Sequence, residues 1–83
     1  GTEMKRTEVV FLESPKNPVV VFETVQEGTD KLTTQYINLR YAYSIRVARS
    51  TLAIGFSGGE IVVDGVDAED AAHIAEKWLD LQP

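Results

Sequence analysis

The chain has 83 residues, a net charge of −5 and no cysteine. Its length allows one domain, and its 43% hydrophobic and 25% charged residues are typical of folded proteins rather than disordered ones. The lack of cysteine excludes disulfides, thiolate chemistry and cysteine-ligated zinc. So small a core leaves little room for a deep substrate cavity, and we therefore expect a protein that is not an enzyme.

Met4 is the only methionine. Residues 1–3 are therefore interpreted either as residues added ahead of the natural start or as a sign that the chain was excised from a longer one, and a single domain is predicted over residues 4–83. The longest wholly apolar run, residues 19–22, is too short to span a bilayer. No signal-peptide pattern is present, so we expect a cytoplasmic protein without membrane contact.

Strands dominate the first half of the chain. Residues 7–12 and 19–25 are apolar β-rich runs, separated by the turn-forming segment 14–18 with its two prolines. A turn over residues 27–30 precedes a third strand, predicted over about residues 32–39. Residues 9–12, 19–22 and 61–63 are apolar at both odd and even positions, which indicates burial on both faces of a sheet.

Over residues 36–47 the odd positions are mostly apolar and the even positions are mostly polar. This alternation is the pattern of a half-buried strand. One strand of this length is unusual in a small domain, so a bend or short 3₁₀ turn is predicted near residues 40–43. Tyr41 and Tyr43 share the parity of Ile37 and Ile45 and are predicted to lie in the core. Tyr36 has the opposite parity and is predicted to be exposed.

The second half predicts a hairpin and then a helix. A loop at residues 48–50, a strand over 51–57, a turn at Gly58 and Gly59 and a last strand over 60–64 come first. Asp67 is the predicted N-cap of the helix. Its apolar stripe comprises Ala71, Ile74, Ala75, Trp78 and Leu81. The predicted fold is α+β: an antiparallel sheet of five to six strands, either open or strongly curled, followed by one C-terminal amphipathic helix packed on one face.

No catalytic, cofactor or metal motif is found. His73 is the only histidine, and its spacing from Glu69 and Lys77 is better explained by a solvated helix face than by a metal site. The acidic residues before and in the first helical turn are explained by helix capping rather than by cation binding. We therefore expect no cofactor, no metal ion and no catalytic residue.

Charge is unevenly distributed along the chain. Residues 31–59 contain four basic and no acidic residues, whereas residues 60–83 contain one basic and seven acidic residues. The predicted partner-binding or anion-binding residues are Tyr36, Asn38, Arg40, Arg46 and Arg49. They form either a binding face for phosphates or an acidic protein, or a set of charges that pair within the molecule or across an oligomer.

The sequence therefore predicts a small non-enzymatic interaction or regulatory module. Its expected partner is a second copy of the same chain, as a homodimer or other homo-oligomer, or else another protein. The alternative is a single-stranded nucleic-acid-binding protein that uses the arginine and tyrosine residues on a sheet face. The net negative charge disfavours nucleic acid, because phosphate neutralisation dominates such binding.

Overall fold

The fold contains six strands, one 3₁₀ turn and one helix, in a computed structural model that describes residues 4–12 and 18–83. The predicted turn at residues 14–18 lies, except for Pro18, outside the described residues. The elements are β1 (Lys5–Leu12), β2 (Val19–Gln26), β3 (Leu32–Asn38), a 3₁₀ turn (Leu39–Tyr41), β4 (Ser44–Ala48), β5 (Thr51–Phe56), β6 (Gly59–Asp64) and α1 (Ala68–Asp80). The predicted α+β class and the C-terminal helix are confirmed.

The six strands form two antiparallel three-stranded sheets instead of the single sheet that was predicted. The first sheet has the order β1-β2-β3 and the second has the order β4-β5-β6. The division falls at the 3₁₀ turn, where the Asn38 side chain accepts a hydrogen bond from the Arg40 backbone N–H at 2.9 Å. This turn interrupts the alternating segment where a bend was predicted, and the chain enters a separate sheet afterwards.

Both sheets contribute one face, here called the inner face, to a common core. In the first sheet Val20 and Phe22 on β2 are fully buried, and in the second sheet Leu52 and Ile54 on β5 are fully buried. Ile74 on α1 completes this cluster. Alternation along each central strand thus places one set of side chains in the core and the other set on an outer face.

The helix packs on the core through its predicted apolar stripe. Ala71 and Ile74 are buried, while Trp78 and Leu81 are partly buried against the same cluster. The Trp78 indole N–H donates to the Ala42 carbonyl at 2.8 Å, so that the helix is attached to the segment after the 3₁₀ turn. Asp67 occupies the predicted N-cap position, although its side chain makes no capping hydrogen bond.

The two sheets meet where β1 passes the end of β6. The Thr7 backbone N–H donates to the Gly65 carbonyl at 2.9 Å, and the Thr7 hydroxyl donates to the Asp64 carbonyl at 2.6 Å. The Thr24 hydroxyl then donates to the Thr7 hydroxyl oxygen at 2.7 Å. Gly65 has a φ of +74°, and a Cβ there would overlap the backbone carbonyl of Lys5. Only glycine therefore fits this junction without strain.

Candidate interaction site

The outer face of the first sheet is the most unusual surface of the molecule. The pairing register places Val10, Val21 and Tyr36 in one row across the three strands, and Val25 beside Leu32 in another. The side chains of this outer face are Arg6, Glu8, Val10 and Leu12 on β1, Val19, Val21, Glu23 and Val25 on β2, and Leu32, Thr34, Tyr36 and Asn38 on β3. Seven of these twelve side chains are aliphatic or aromatic.

Most large apolar side chains on this face are exposed, although Val21 in its centre is only 6% exposed. The helix packs against the opposite, inner face, and within the described residues Leu32 keeps 58% and Tyr36 70% of their surface in solvent. An antiparallel sheet with one solvated face normally carries polar residues there. A contiguous exposed apolar patch is more typical of a protein contact surface.

A pair of acidic residues interrupts the apolar rows. Glu8 and Glu23 lie directly opposite each other on β1 and β2. Like charges in this position are unfavourable, and neither carboxylate forms an ion pair with another described residue. An open groove extends from these carboxylates towards Asp67 and Asp70 at the start of the helix. Lys5 and Arg6 line the same groove, so this side of the molecule carries charges of both signs beside its apolar residues.

The five predicted binding residues lie on four different parts of the fold. Tyr36 and Asn38 are on the outer face of the first sheet, and Arg40 is exposed in the 3₁₀ turn. Arg46 lies on β4 of the second sheet, where it forms an ion pair with Glu60 at 3.1 Å. Arg49 is in the β4–β5 loop with a φ of +54°. Tyr36, Asn38, Arg40 and Arg46 all occupy even positions, and the sequence therefore predicted that they can share one sheet face. The 3₁₀ turn prevents this, because it separates the two sheets.

Arg49 lies in the loop that follows β4, three residues after Arg46. Arg49 forms no ion pair with any residue in the described ranges. The role of these arginines in binding stays a prediction, and the observed pairing of Arg46 with Glu60 corresponds to the alternative of charge pairing within the molecule.

The prediction that Tyr41 and Tyr43 are core residues is wrong. Their exposed fractions are 69% and 65%. The physical reason is that the 3₁₀ turn breaks the period of two, so that Ala42 takes the buried position between them. Tyr36 is exposed as predicted, and all three tyrosines of the chain therefore face solvent.

The described residues contain neither a metal-ligand cluster nor a helix able to span a membrane. No group of three or more histidine, aspartate or glutamate side chains in the described ranges could hold a metal ion. His73 is exposed on the helix. The only helix in this part of the chain is too short and too polar to cross a membrane. Comparison with protein families, with curated proteins and with solved structures finds no match to this chain.

Sequence reasoning did not identify the outer face of the first sheet as a candidate site. Its signal was nevertheless present, because residues 9–12 and 19–22 are apolar at both parities. Only the structure shows which parity faces the core and that the helix covers one side. The apolar residues of the other parity therefore become the candidate contact surface.

Proposed function

We propose that this protein is a non-enzymatic interaction module that acts by binding protein, in the first instance a second copy of itself. The observation that supports this function is the exposed apolar outer face of the first sheet. Burial of apolar surface yields about 25 cal/mol per Å², so covering side chains such as Leu32 and Tyr36 provides a favourable free energy of association. Two-fold dimers are the commonest arrangement among homo-oligomers.

Replacement of Tyr36 by glutamate tests this function. We expect the parent protein to sediment as a dimer at micromolar concentration, and Tyr36→Glu to raise the dimer dissociation constant at least tenfold. A charge on this surface must be desolvated when the partner binds, which opposes association. Analytical ultracentrifugation over a range of concentrations provides the measurement.

Tyr43→Glu is the matched control, because Tyr43 is about as exposed as Tyr36 but is not on the outer face of the first sheet. Its dimerisation should equal that of the parent. A parent protein that remains strictly monomeric, or two variants with equal loss of association, would contradict the proposed use of this face.

The second candidate function is the binding of single-stranded nucleic acid. The observation that favours it is the exposure of all three tyrosines, together with Arg40, within a segment that lacks acidic residues. Exposed aromatic rings stack on bases, and cations contact the phosphates. The acidic residues elsewhere on the molecule oppose this function, since they repel phosphate.

Fluorescence anisotropy with a labelled single-stranded oligonucleotide separates the two functions. Arg46 is already paired with Glu60, so few cations of this segment are available to phosphates, and we expect weak binding at low salt with a logarithmic salt slope shallower than roughly −2. The double variant Tyr41→Ala/Tyr43→Ala should weaken this binding and leave self-association unchanged. Tight binding at moderate salt that is lost in this variant would make nucleic-acid binding the leading function, whereas no binding at low salt would eliminate it.

A further inference from the structure

The outer edge of β3 carries backbone groups that do not pair with β2. Two hydrogen bonds define the direction of the backbone: the Gln26 N–H donates to the Lys31 carbonyl, and the Leu39 N–H donates to the Pro18 carbonyl. Odd-numbered residues along β3 therefore direct their backbone N–H and C=O groups towards β2. In an antiparallel sheet these directions alternate, so even-numbered residues direct theirs away from β2.

No described strand pairs with this side of β3, so the even-numbered backbone groups of Leu32, Thr34 and Tyr36 form a strand edge that is free within the described residues. The same three residues place their side chains on the outer face of the first sheet. Both the hydrogen-bonding groups and the apolar side chains of β3 are consequently available to one partner.

The chemistry of this edge distinguishes β3 from the other edge strands. Proteins commonly protect a free edge with charged residues, proline or a bulge, which prevent pairing with another chain. β1 carries Lys5, Arg6 and Glu8, β4 carries Arg46, and β6 carries Glu60 and Asp64. In contrast, β3 has the sequence LTTQYIN, with neither a charged residue nor a proline along its length.

We propose that β3 pairs with β3 of a second copy of this chain, antiparallel and across a two-fold axis centred on Thr34. The first sheet of each copy then forms half of one continuous six-stranded sheet. This interface rests on the proposed function of self-association, and of the outer face it covers only the side chains of β3. The hydrogen-bonded pairs are Thr34 with Thr34 of the second copy, and Leu32 with Tyr36 of the second copy in both directions.

This register is self-complementary in its side chains. The exposed Leu32 of each copy lies beside the exposed Tyr36 of the other copy. On the axis itself, Thr34 lies beside Thr34 of the second copy. Aromatic–aliphatic and threonine–threonine neighbours are both favourable cross-strand pairs. All three pairs use residues whose backbone groups face the free edge, so the register also satisfies the hydrogen-bonding direction.

A second copy fits this edge better than an unrelated strand does. Antiparallel pairing of identical strands is what a two-fold axis generates, and the interface closes after two copies. The apolar rows of the two outer faces also become continuous across the axis, because Tyr36 ends its row at the edge of the sheet. Pairing therefore joins the two apolar surfaces side by side.

Cysteine substitution tests the axis directly, because the chain has no cysteine of its own. The Cα atoms of a hydrogen-bonded antiparallel pair are about 5.5 Å apart, within the range of about 4.4–6.8 Å that a disulfide spans. Thr34→Cys should therefore form a covalent dimer under mild oxidation at low micromolar concentration. Thr33→Cys, exposed on the opposite face of the same strand, should remain at least tenfold less crosslinked.

The products are measured by non-reducing electrophoresis, and circular dichroism verifies that both variants are folded. Selective crosslinking of Thr34→Cys supports the proposed axis. A parent that sediments as a dimer while Thr34→Cys fails to crosslink, or crosslinks no faster than Thr33→Cys, would overturn the β3 interface and leave self-association intact. A monomeric parent would overturn both the interface and the function on which it rests.

Discussion

Replacement of Trp78 by alanine is expected to destabilise the protein by about 3 kcal/mol, the lower end of the range for removing a tryptophan from a core. Trp78 packs on the core cluster and its indole N–H donates to the Ala42 carbonyl. The substitution removes this contact between the helix and the segment after the 3₁₀ turn. Since a small domain has a total stability near the low end of about 5–15 kcal/mol, a large part of its stability is lost.

Thermal unfolding followed by circular dichroism measures this effect, with an expected decrease in Tm of roughly 12–24 °C. Leu79→Ala is the matched control, because Leu79 is the next residue on the helix but is exposed. Its Tm should change by only a few degrees. Equal Tm values for Trp78→Ala and the parent would show that the helix is not anchored through this side chain.

Replacement of Gly65 by alanine should have a comparably large effect. An alanine at a φ of +74° costs roughly 1–2 kcal/mol, and its Cβ would in addition overlap the Lys5 backbone carbonyl. The backbone must shift to relieve this overlap, which weakens the Thr7-to-Gly65 hydrogen bond between the two sheets. Loss of that bond adds about 1 kcal/mol, so the total is roughly 2–3 kcal/mol.

Gly28→Ala provides the control for the backbone conformation alone. Gly28 has a φ of +84°, but a Cβ at this position would meet no other atom. Urea denaturation should therefore show a loss of roughly 1–2 kcal/mol for Gly28→Ala and about 1 kcal/mol more for Gly65→Ala. If the two variants lose the same stability, the contact between β1 and the end of β6 does not hold the sheets together.

Local sequence patterns predicted the elements of this fold well, because each pattern reflects a local physical cause. The period of two identified the strands, and the apolar stripe with Ala71 and Ile74 identified the buried face of the helix. The break in the alternating segment was also predicted near its observed place, the 3₁₀ turn at Leu39–Tyr41. The break was predicted from strand length, since one strand of twelve residues exceeds the usual range.

The division into two sheets could not be predicted from the same patterns. Alternation reports which face of a strand is buried, but it does not report which neighbour the strand pairs with. The same limitation explains the wrong prediction for Tyr41 and Tyr43. The alternation of buried and exposed positions was extrapolated across the 3₁₀ turn, which interrupts it. Ala42 therefore lies in the core, and Tyr41 and Tyr43 do not.

The candidate site was predicted less completely than the fold. The uneven charge along the chain directed the prediction to residues 31–59, a range that includes all of β3. However, a charge count emphasises arginines, whereas the contact surface proposed here depends on the uncharged residues between them. The directions of the backbone groups along β3 depend on its pairing with β2, and this information is not available from sequence.

The arrangement of the two sheets along the chain also has a kinetic consequence. Each sheet is built from consecutive strands, so its hairpins close short loops and can form early in folding. The hydrogen bonds from Thr7 to Asp64 and Gly65 join positions almost sixty residues apart, and they can form only when both sheets are largely assembled. This junction therefore belongs to the late stage of folding, and its strength governs chiefly the rate at which the finished protein unfolds.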